Sequence, residues 1–144
     1  MITNMKVFKF GGASVQDAEA VKNLALIIKG SQKHHLIIVI SAMDKMTNHL
    51  EHLLDSKMKQ DGEINAKLAN IAAFHRTITG QLFPEEHIVF KKTENLLQEL
   101  TTLSLEEPYY SYDMEYDRLV PYGELLSTTI IHYYLETQNI KNTF

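Results

Sequence analysis

The chain has 144 residues, of which 44% are hydrophobic and 22% are charged, as in globular domains that bury a core of their own. A formal net charge of −4 without a basic stripe argues against a nucleic-acid-binding protein, and the absence of cysteine excludes disulfide bonds and thiolate chemistry. The N-terminus lacks a basic segment followed by a long apolar stretch, and the longest apolar run, residues 36–40, is too short to cross a bilayer. We therefore expect a cytoplasmic protein with neither a signal peptide nor a membrane contact.

The first forty residues predict a strand, a helix and a second strand. Residues 5–10 form a mainly apolar run, and apolar residues then recur at helical spacing over residues 15–28, with Gly30 as the predicted C-terminal cap. Residues 36–40 are all leucine, isoleucine or valine, which is typical of a parallel strand covered on both faces. This order of elements predicts a right-handed βαβ unit in an α/β fold.

The remainder of the chain is predicted to be mainly helical. Asn48 and Glu51 resemble a capping box at the start of the next helix. Apolar stripes and their breakers predict helices over residues 48–60, 64–82, 88–103 and 122–137, whereas residues 109–121 show no clear pattern. Residues 140–144 are predicted to begin a third strand. Because three short parallel strands leave an exposed edge and a poorly covered core, the pattern indicates the first part of a larger domain.

The turn after the first strand has the residue types of a phosphate site. Gly11 and Gly12 allow the backbone to turn tightly and to approach an anion, and the amides at a helix start favour negative charge. Lys9 adds a positive charge and Ser14 adds a hydroxyl. Most glycine pairs are only tight turns that bind nothing, so this motif by itself is weak evidence and leaves both interpretations open.

Two further polar segments are predicted at the same edge of the sheet. Ligands of an open α/β sheet bind beyond the carboxyl ends of its strands, and the polar turn of residues 41–48 follows the second strand. Glu124 opens the last predicted helix, where its carboxylate can hold an ammonium group. An acidic residue at a helix N-terminus is also favourable for structural reasons alone. Together the three segments place a cation, hydroxyls and a carboxylate around one small ligand.

Other polar residues are interpreted as structural. His49 and His52 are three apart on a helix, but no third ligand is evident, so no metal site is assigned. His75 lies on an apolar stripe and is interpreted as a core histidine with satisfied hydrogen bonds, or as a residue close to a substrate. All seven tyrosines fall within residues 109–134, which we interpret as packing with the hydroxyls in water.

Three segments resemble motifs of the aspartate kinases, within the amino-acid kinase family. Residues 7–15 resemble a Lys-Phe-Gly-Gly-(Thr or Ala)-Ser-Val signature, residues 39–48 the second strand with its turn, and residues 120–127 a Ser-x-Gly-Glu-x-x-Ser motif. Their order and approximate spacing agree over the whole chain. In this sequence Pro121 replaces the first serine of the third motif, and Asp44 stands where the turn usually has glycine or another small residue.

The resemblance implies a three-layer α/β/α sandwich with a mainly parallel sheet, similar to carbamate kinase. It implies transfer of the ATP γ-phosphoryl group, with Mg²⁺, to the side-chain carboxylate of L-aspartate, which gives 4-phospho-L-aspartate on the route to lysine, threonine and methionine. By resemblance, Lys9 is the catalytic residue that neutralises charge on the transferring group. The residues implied at the phosphates are Lys9, Gly11, Gly12, Ala13 and Ser14. Those implied at aspartate are Ser41, Thr47 and Glu124, the last at the α-ammonium group.

By the same resemblance, residues 1–144 are the N-terminal part of an amino-acid kinase domain. The nucleotide-base site and the regulatory ACT domains would belong to sequence beyond them, so we expect this chain to be inactive by itself, and we expect a homo-oligomer. Two alternatives stay open. One is a non-catalytic remnant that acts through oligomerisation, and the other is an amino-acid kinase for glutamate, acetylglutamate or UMP.

Overall fold

The computed structural model describes residues 5–31 and 35–144. The strands are β1 (Met5–Phe10) and β2 (His35–Ile40), and a short 3₁₀ helix, Gly12–Val15, follows β1. The α-helices are α1 (Ala18–Gly30), α2 (Met46–Lys59), α3 (Ile64–Leu82), α4 (Ile88–Leu105), α5 (Tyr112–Leu119) and α6 (Tyr122–Thr137). The two strands predicted at residues 5–10 and 36–40 and the predicted helices are confirmed. Within the described residues, every helix is too short or too polar to span a membrane.

The two strands form a parallel pair that runs from Met5 opposite His35 to Phe10 opposite Ile40. Side chains alternate between the faces of a strand, so one set faces the helices and the other faces away. The inward set comprises Phe8, Phe10, Leu36, Ile38 and Ile40, which contact apolar residues of the helices. The outward side chains of Val7 and Ile37 are 62% and 47% exposed. The described residues therefore cover only one face of β2, in contrast with the prediction, because an apolar run does not reveal what lies against it.

The core consists of two clusters that share helix α6. One cluster joins the sheet to α1 and includes Ile130 and Ile131, whereas the other joins α2, α3 and α4 and includes Leu126. A helix that is buried on most sides is fixed in rotation and in depth. The position of its N-terminus, where Glu124 lies, is therefore determined by the core.

Helix α5 is the element that the sequence pattern did not reveal. Its N-cap is Ser111, whose hydroxyl accepts a hydrogen bond from the Met114 amide at 3.5 Å. Tyrosine hydroxyls attach this region to its neighbours, since Tyr112 donates to Asp55 at 3.2 Å and Tyr116 donates to Glu51 at 3.0 Å. The prediction placed the tyrosine hydroxyls in water, and it did not foresee that these two hydroxyls also join α5 to α2. Ser111 was the available sequence signal for the helix.

Three local predictions are wrong. Helix α2 begins at Met46 with Lys45 as its N-cap and without a side-chain cap, so Asn48 lies inside the helix and forms no capping box. Gly30 is the last residue of α1, and the amide of Ser31 closes the helix by donating to the Ile28 carbonyl. Residues 140–144 form no strand.

The segment after α6 is held by the helix rather than by the sheet. Asn142 contacts His132 through its side chain at 2.7 Å, and its amide donates to the Glu136 carboxylate at 3.2 Å. An open groove of about 680 Å³ lies between this segment and β2. Because a strand exists only through pairing with a neighbour, the segment stays irregular at this distance from β2.

Candidate functional site

Lys9 lies near the end of β1 on the outward face of the sheet. It shares this face with Met5 and Val7 and is in register with Val39 on β2. Its side chain is exposed, as are those of its neighbours on this face. The ammonium group is therefore available to a ligand that lies over the carboxyl end of the outward face.

The glycine turn after β1 forms a 3₁₀ helix rather than the start of α1. Gly11 is extended, with φ −74° and ψ 172°, and its carbonyl accepts a hydrogen bond from the Ser14 amide at 2.8 Å. Helix α1 begins later, at Ala18, where the Asp17 carboxylate caps the Ala20 amide at 2.8 Å. The prediction that α1 follows the glycines directly is thus corrected. The amides near the glycines belong to the short 3₁₀ helix, and the first turn of α1 is already capped by an acidic residue.

Of the glycine pair, only Gly12 is required by the packing of the chain. A Cβ atom on Gly12 would lie 2.4 Å from the carbonyl oxygen of Asp44, whereas a Cβ atom on Gly11 would meet nothing within 4 Å. The Asp44 amide also donates to the Gly12 carbonyl at 3.1 Å, and the Ser41 amide donates to the Phe10 carbonyl at 3.0 Å. The turns that follow β1 and β2 are therefore in direct backbone contact at the same edge of the sheet.

The N-terminus of α6 meets the same edge. A Cβ atom on Gly123 would lie 2.8 Å from the Cβ atom of Ala42 and 3.0 Å from Cδ1 of Leu50, so glycine allows the helix to approach. One turn later, the hydroxyl of Ser127 donates to the Ser41 carbonyl at 2.9 Å. The three sequence segments with candidate ligand-binding residues thus form one contiguous region.

Within this region the candidate side chains differ in accessibility. Ala13, Ser14 and Glu124 are exposed, and Ser41 and Thr47 are half-buried. Thr47 lies in the first turn of α2 and Glu124 in the first turn of α6. Exposed charges and half-buried hydroxyls thus occur in the same region, which suits a small charged ligand. The roles of these residues remain predictions.

Sequence analysis missed the contacts that hold the region together. Gly123 and Ser127 were noted only as members of a motif, yet both contact the segment after β2. The available signal was their spacing: they lie four apart, hence on one face of α6.

Among the described residues, no group of three or more histidine, aspartate or glutamate side chains converges in a way that could hold a metal ion.

His75, the other residue considered close to a substrate, is buried in the core. Its Nδ1 lies 2.8 Å from the Ile71 carbonyl oxygen, while Nε2 has no hydrogen-bond partner among the described residues. It is thus a core histidine with only one nitrogen satisfied. Burial lowers its pKa to about 4, against a smaller opposite effect of the hydrogen bond with Ile71.

Comparison with known proteins extends these observations. A model of the amino acid kinase family matches residues 4–144. Aspartokinase 1 of Arabidopsis thaliana, a chloroplastic protein, is 34% identical over 94% of this chain, and lysine-sensitive aspartokinase 3 of Escherichia coli is 29% identical over 97%. These alignments span 24% and 30% of the relatives' own lengths.

Two solved structures show the same fold. Escherichia coli aspartokinase III in complex with lysine and aspartate aligns with a TM-score of 0.82 at 30% identity, over 94% of this chain and 29% of that one. The complex with aspartate and ADP aligns with the same TM-score at 29% identity. The fold is therefore that of the α/β amino-acid kinases, and the described strands and helices account for one part of it. With a family model matched over nearly its whole length, the chain belongs to the amino acid kinase family.

Proposed function

We propose that this chain is the phosphate-facing and aspartate-binding part of an aspartate kinase. The observation that supports this best is the direct contact among the three segments: Gly12 with Asp44, Gly123 with Ala42, and Ser127 with Ser41. These contacts gather a lysine, hydroxyls and a carboxylate at one sheet edge. The compared relatives are aspartokinases, which favours aspartate over glutamate, acetylglutamate or UMP as the substrate.

The phosphate side of the proposed site centres on Gly11. A Cβ atom on Gly11 would meet open space, whereas one on Gly12 would meet the backbone of Asp44. A ligand can therefore approach the chain at Gly11 and Ala13, with the hydroxyl of Ser14 beside it and the ammonium group of Lys9 on the outward face. Backbone amides, a hydroxyl and a lysine suit the oxygens of ATP phosphates.

The aspartate side comprises the hydroxyls of Ser41 and Thr47 and the carboxylate of Glu124. Hydroxyls can donate to the carboxylates of the amino acid, and Glu124 can hold its α-ammonium group. A carboxylate oxygen of aspartate then attacks the γ-phosphorus of ATP while the bond to the bridging oxygen breaks and ADP leaves. Lys9 offsets the negative charge that gathers on the transferring group, and no nucleophilic side chain is needed.

Among the described residues, no three acidic or histidine side chains gather, so they form no metal site built from protein ligands alone. Magnesium in kinase sites is usually held by one or two carboxylates together with phosphate oxygens. We therefore assign no residue to the ion that the resemblance implies. The nucleotide base likewise has no assigned residue.

Since the chain spans 24% to 30% of the lengths of the relatives, we expect no aspartate-dependent ATP turnover from it alone. Robust turnover by the purified 144-residue protein would contradict this expectation.

Titration of the isotopically labelled chain with L-aspartate tests the substrate assignment by NMR. We expect shifts of the amides of residues 41–47 and of Glu124, with a smaller response to L-glutamate. Glu124→Gln should weaken the response at least about ten-fold, since a charge-assisted bond is lost. Asp113→Asn, at an exposed acidic residue in the first turn of α5, is the matched control and should bind as wild type. A wild-type chain that does not respond, or responds better to glutamate, contradicts the assignment.

The second candidate is a non-catalytic protein that acts through association. The outward sheet face favours it, since Met5, Val7, Ile37 and Val39 are all at least 44% exposed. The titration combined with light scattering distinguishes the two candidates: an oligomer that does not respond to aspartate supports association, whereas a chain that binds aspartate, as a monomer or as the expected homo-oligomer, supports the kinase. We propose a cytoplasmic location, although the Arabidopsis relatives are chloroplastic, and fractionation of cells tests it.

A further inference from the structure

The hydroxyl of Ser127 links two elements of the proposed site. The residue is fully buried, and its Oγ lies 2.9 Å from the Ser41 carbonyl oxygen and 3.1 Å from the Glu124 carbonyl oxygen. Carbonyl oxygens only accept, so the single hydroxyl proton is shared between these two acceptors. One side chain thereby ties the residue after β2 to the first turn of α6.

Gly123 makes this link geometrically possible. Any Cβ atom there would lie 2.8 Å from the Cβ atom of Ala42, so a side chain would push α6 away from the turn after β2. Glycine allows the approach, and the bond from Ser127 holds the helix at that distance. The two residues act on consecutive positions, Ser41 and Ala42.

We propose that Ser127 is a positioning residue that sets the distance between Ser41 and Glu124. The proposal rests on the proposed function, in which Ser41 and Glu124 bind different groups of one aspartate molecule. Ser127 itself does not touch the substrate, because it is buried behind the two residues that do. Its effect on binding passes through the Ser41 carbonyl and the first turn of α6.

Ser104 offers a matched control. It is also a fully buried serine on a helix, and its hydroxyl donates at 2.7 Å to the Leu100 carbonyl, one turn earlier on α4. Ser104→Ala therefore removes the same atom from the same kind of environment. The difference between the two variants isolates the bond that crosses from α6 to Ser41.

The experiment uses the full 144-residue chain labelled with ¹⁵N and ¹³C. In Ser127→Ala we expect the Ser41 carbonyl and Ala42 amide resonances to move, together with those of residues 43–47, whereas Ser104→Ala should affect only the surroundings of α4. The dissociation constant for L-aspartate should rise about ten-fold in Ser127→Ala and less than about two-fold in Ser104→Ala. Ser127→Thr keeps a hydroxyl and should restore both the resonances and most of the affinity.

Each outcome decides the inference. Unchanged Ser41 and Ala42 resonances in Ser127→Ala overturn it, as does a shift of these resonances with wild-type aspartate affinity. If Ser127→Ala does not fold, Ser127→Cys replaces it with the same expectations, because a thiol is a weak donor. A wild-type chain without any aspartate response overturns the proposed function instead, and the resonances of residues 41–47 then decide by themselves whether Ser127 positions this turn.

Discussion

Lys57 and Glu115 form an ion pair that is almost entirely removed from solvent. Nζ of Lys57 lies 2.9 Å from Oε2 of Glu115, and the two side chains are 1% and 0% exposed. Nζ also donates to the Leu103 carbonyl at 2.6 Å, and Arg118 contacts Glu115 at 3.1 Å. The pair thereby joins α2, α4 and α5 immediately before the chain enters α6. Burial alone would raise the pKa of Glu115, but the hydrogen bond and charge of Lys57, with the charge of Arg118, outweigh it and lower that pKa.

Glu115→Gln is expected to be strongly destabilising. It leaves the ammonium group of Lys57 buried without an opposite charge, which costs about 3–5 kcal/mol of the free energy of unfolding. Glu94→Gln is the control, because its bidentate pair with Arg76 is 40% to 57% exposed and should contribute less than about 1 kcal/mol. Urea denaturation measures both values. Similar small losses for the two variants would show that the buried pair does not stabilise the chain.

The glycine pair should separate stability from binding. Gly12→Ala places a methyl group 2.4 Å from the backbone oxygen of Asp44 and is expected to cost about 2 kcal/mol or more. Gly11→Ala meets open space at an ordinary φ of −74°, so stability should be unchanged or should rise by less than about 1 kcal/mol. Phosphate binding, followed by ³¹P NMR with ATP, should weaken in Gly11→Ala. Destabilisation of equal size in both variants would contradict this division of roles.

Asp44 occupies a backbone conformation that favours glycine. Its φ is +47°, in the left-handed region, where a side chain adds steric cost. Asp44→Gly is therefore expected to raise the free energy of unfolding by about 0.5–1 kcal/mol. Asp44→Ala also removes the carboxylate but keeps Cβ, so it should lack this gain. Thermal and urea denaturation of the two variants test whether the backbone, rather than the charge, is responsible.

The pKa of His75 predicts how stability depends on pH. The folded state holds this side chain neutral with a pKa of about 4, whereas the unfolded chain takes up a proton near pH 6.5. Below pH 6.5 the unfolded state binds more protons, so the free energy of unfolding falls as the pH falls from 6.5 toward 4. The loss between pH 7.5 and pH 5 should be about 2 kcal/mol.

His75→Leu tests this origin of the pH dependence. Leucine fills the buried position without a titratable group, so urea denaturation should give nearly equal stabilities at pH 7.5 and pH 5. His52→Gln, at an exposed position of α2, should keep the wild-type dependence. Glu115 does not contribute to the loss of stability between pH 7.5 and pH 5. Because its pKa is lowered in the folded state, its stabilisation is present above the ordinary glutamate pKa and is lost as the pH falls below that value. A wild-type slope in His75→Leu would assign the effect to other groups.

The sequence by itself determined the order and kind of most elements, because periodicity and turn residues act locally. The mainly apolar run of residues 5–10, the apolar stripe of α3 and the breakers between the helices were all legible in this way. Three motifs also identified the family, since their residue types and spacing are specific. The burial of Lys57 also had a sequence signal, because Lys57 continues the apolar stripe of Leu50, Leu53 and Leu54 on α2.

Only the tertiary structure decided which residues contact one another across elements. That Gly12 rather than Gly11 is required depends on the carbonyl of Asp44, which is distant in sequence. The link from Ser127 to Ser41 joins residues 86 positions apart, and no local pattern encodes such a pair. The irregular conformation of residues 140–144 likewise follows from their attachment to α6. Local propensity governs single elements, whereas distances between elements are set by packing of the whole core, which no single segment contains.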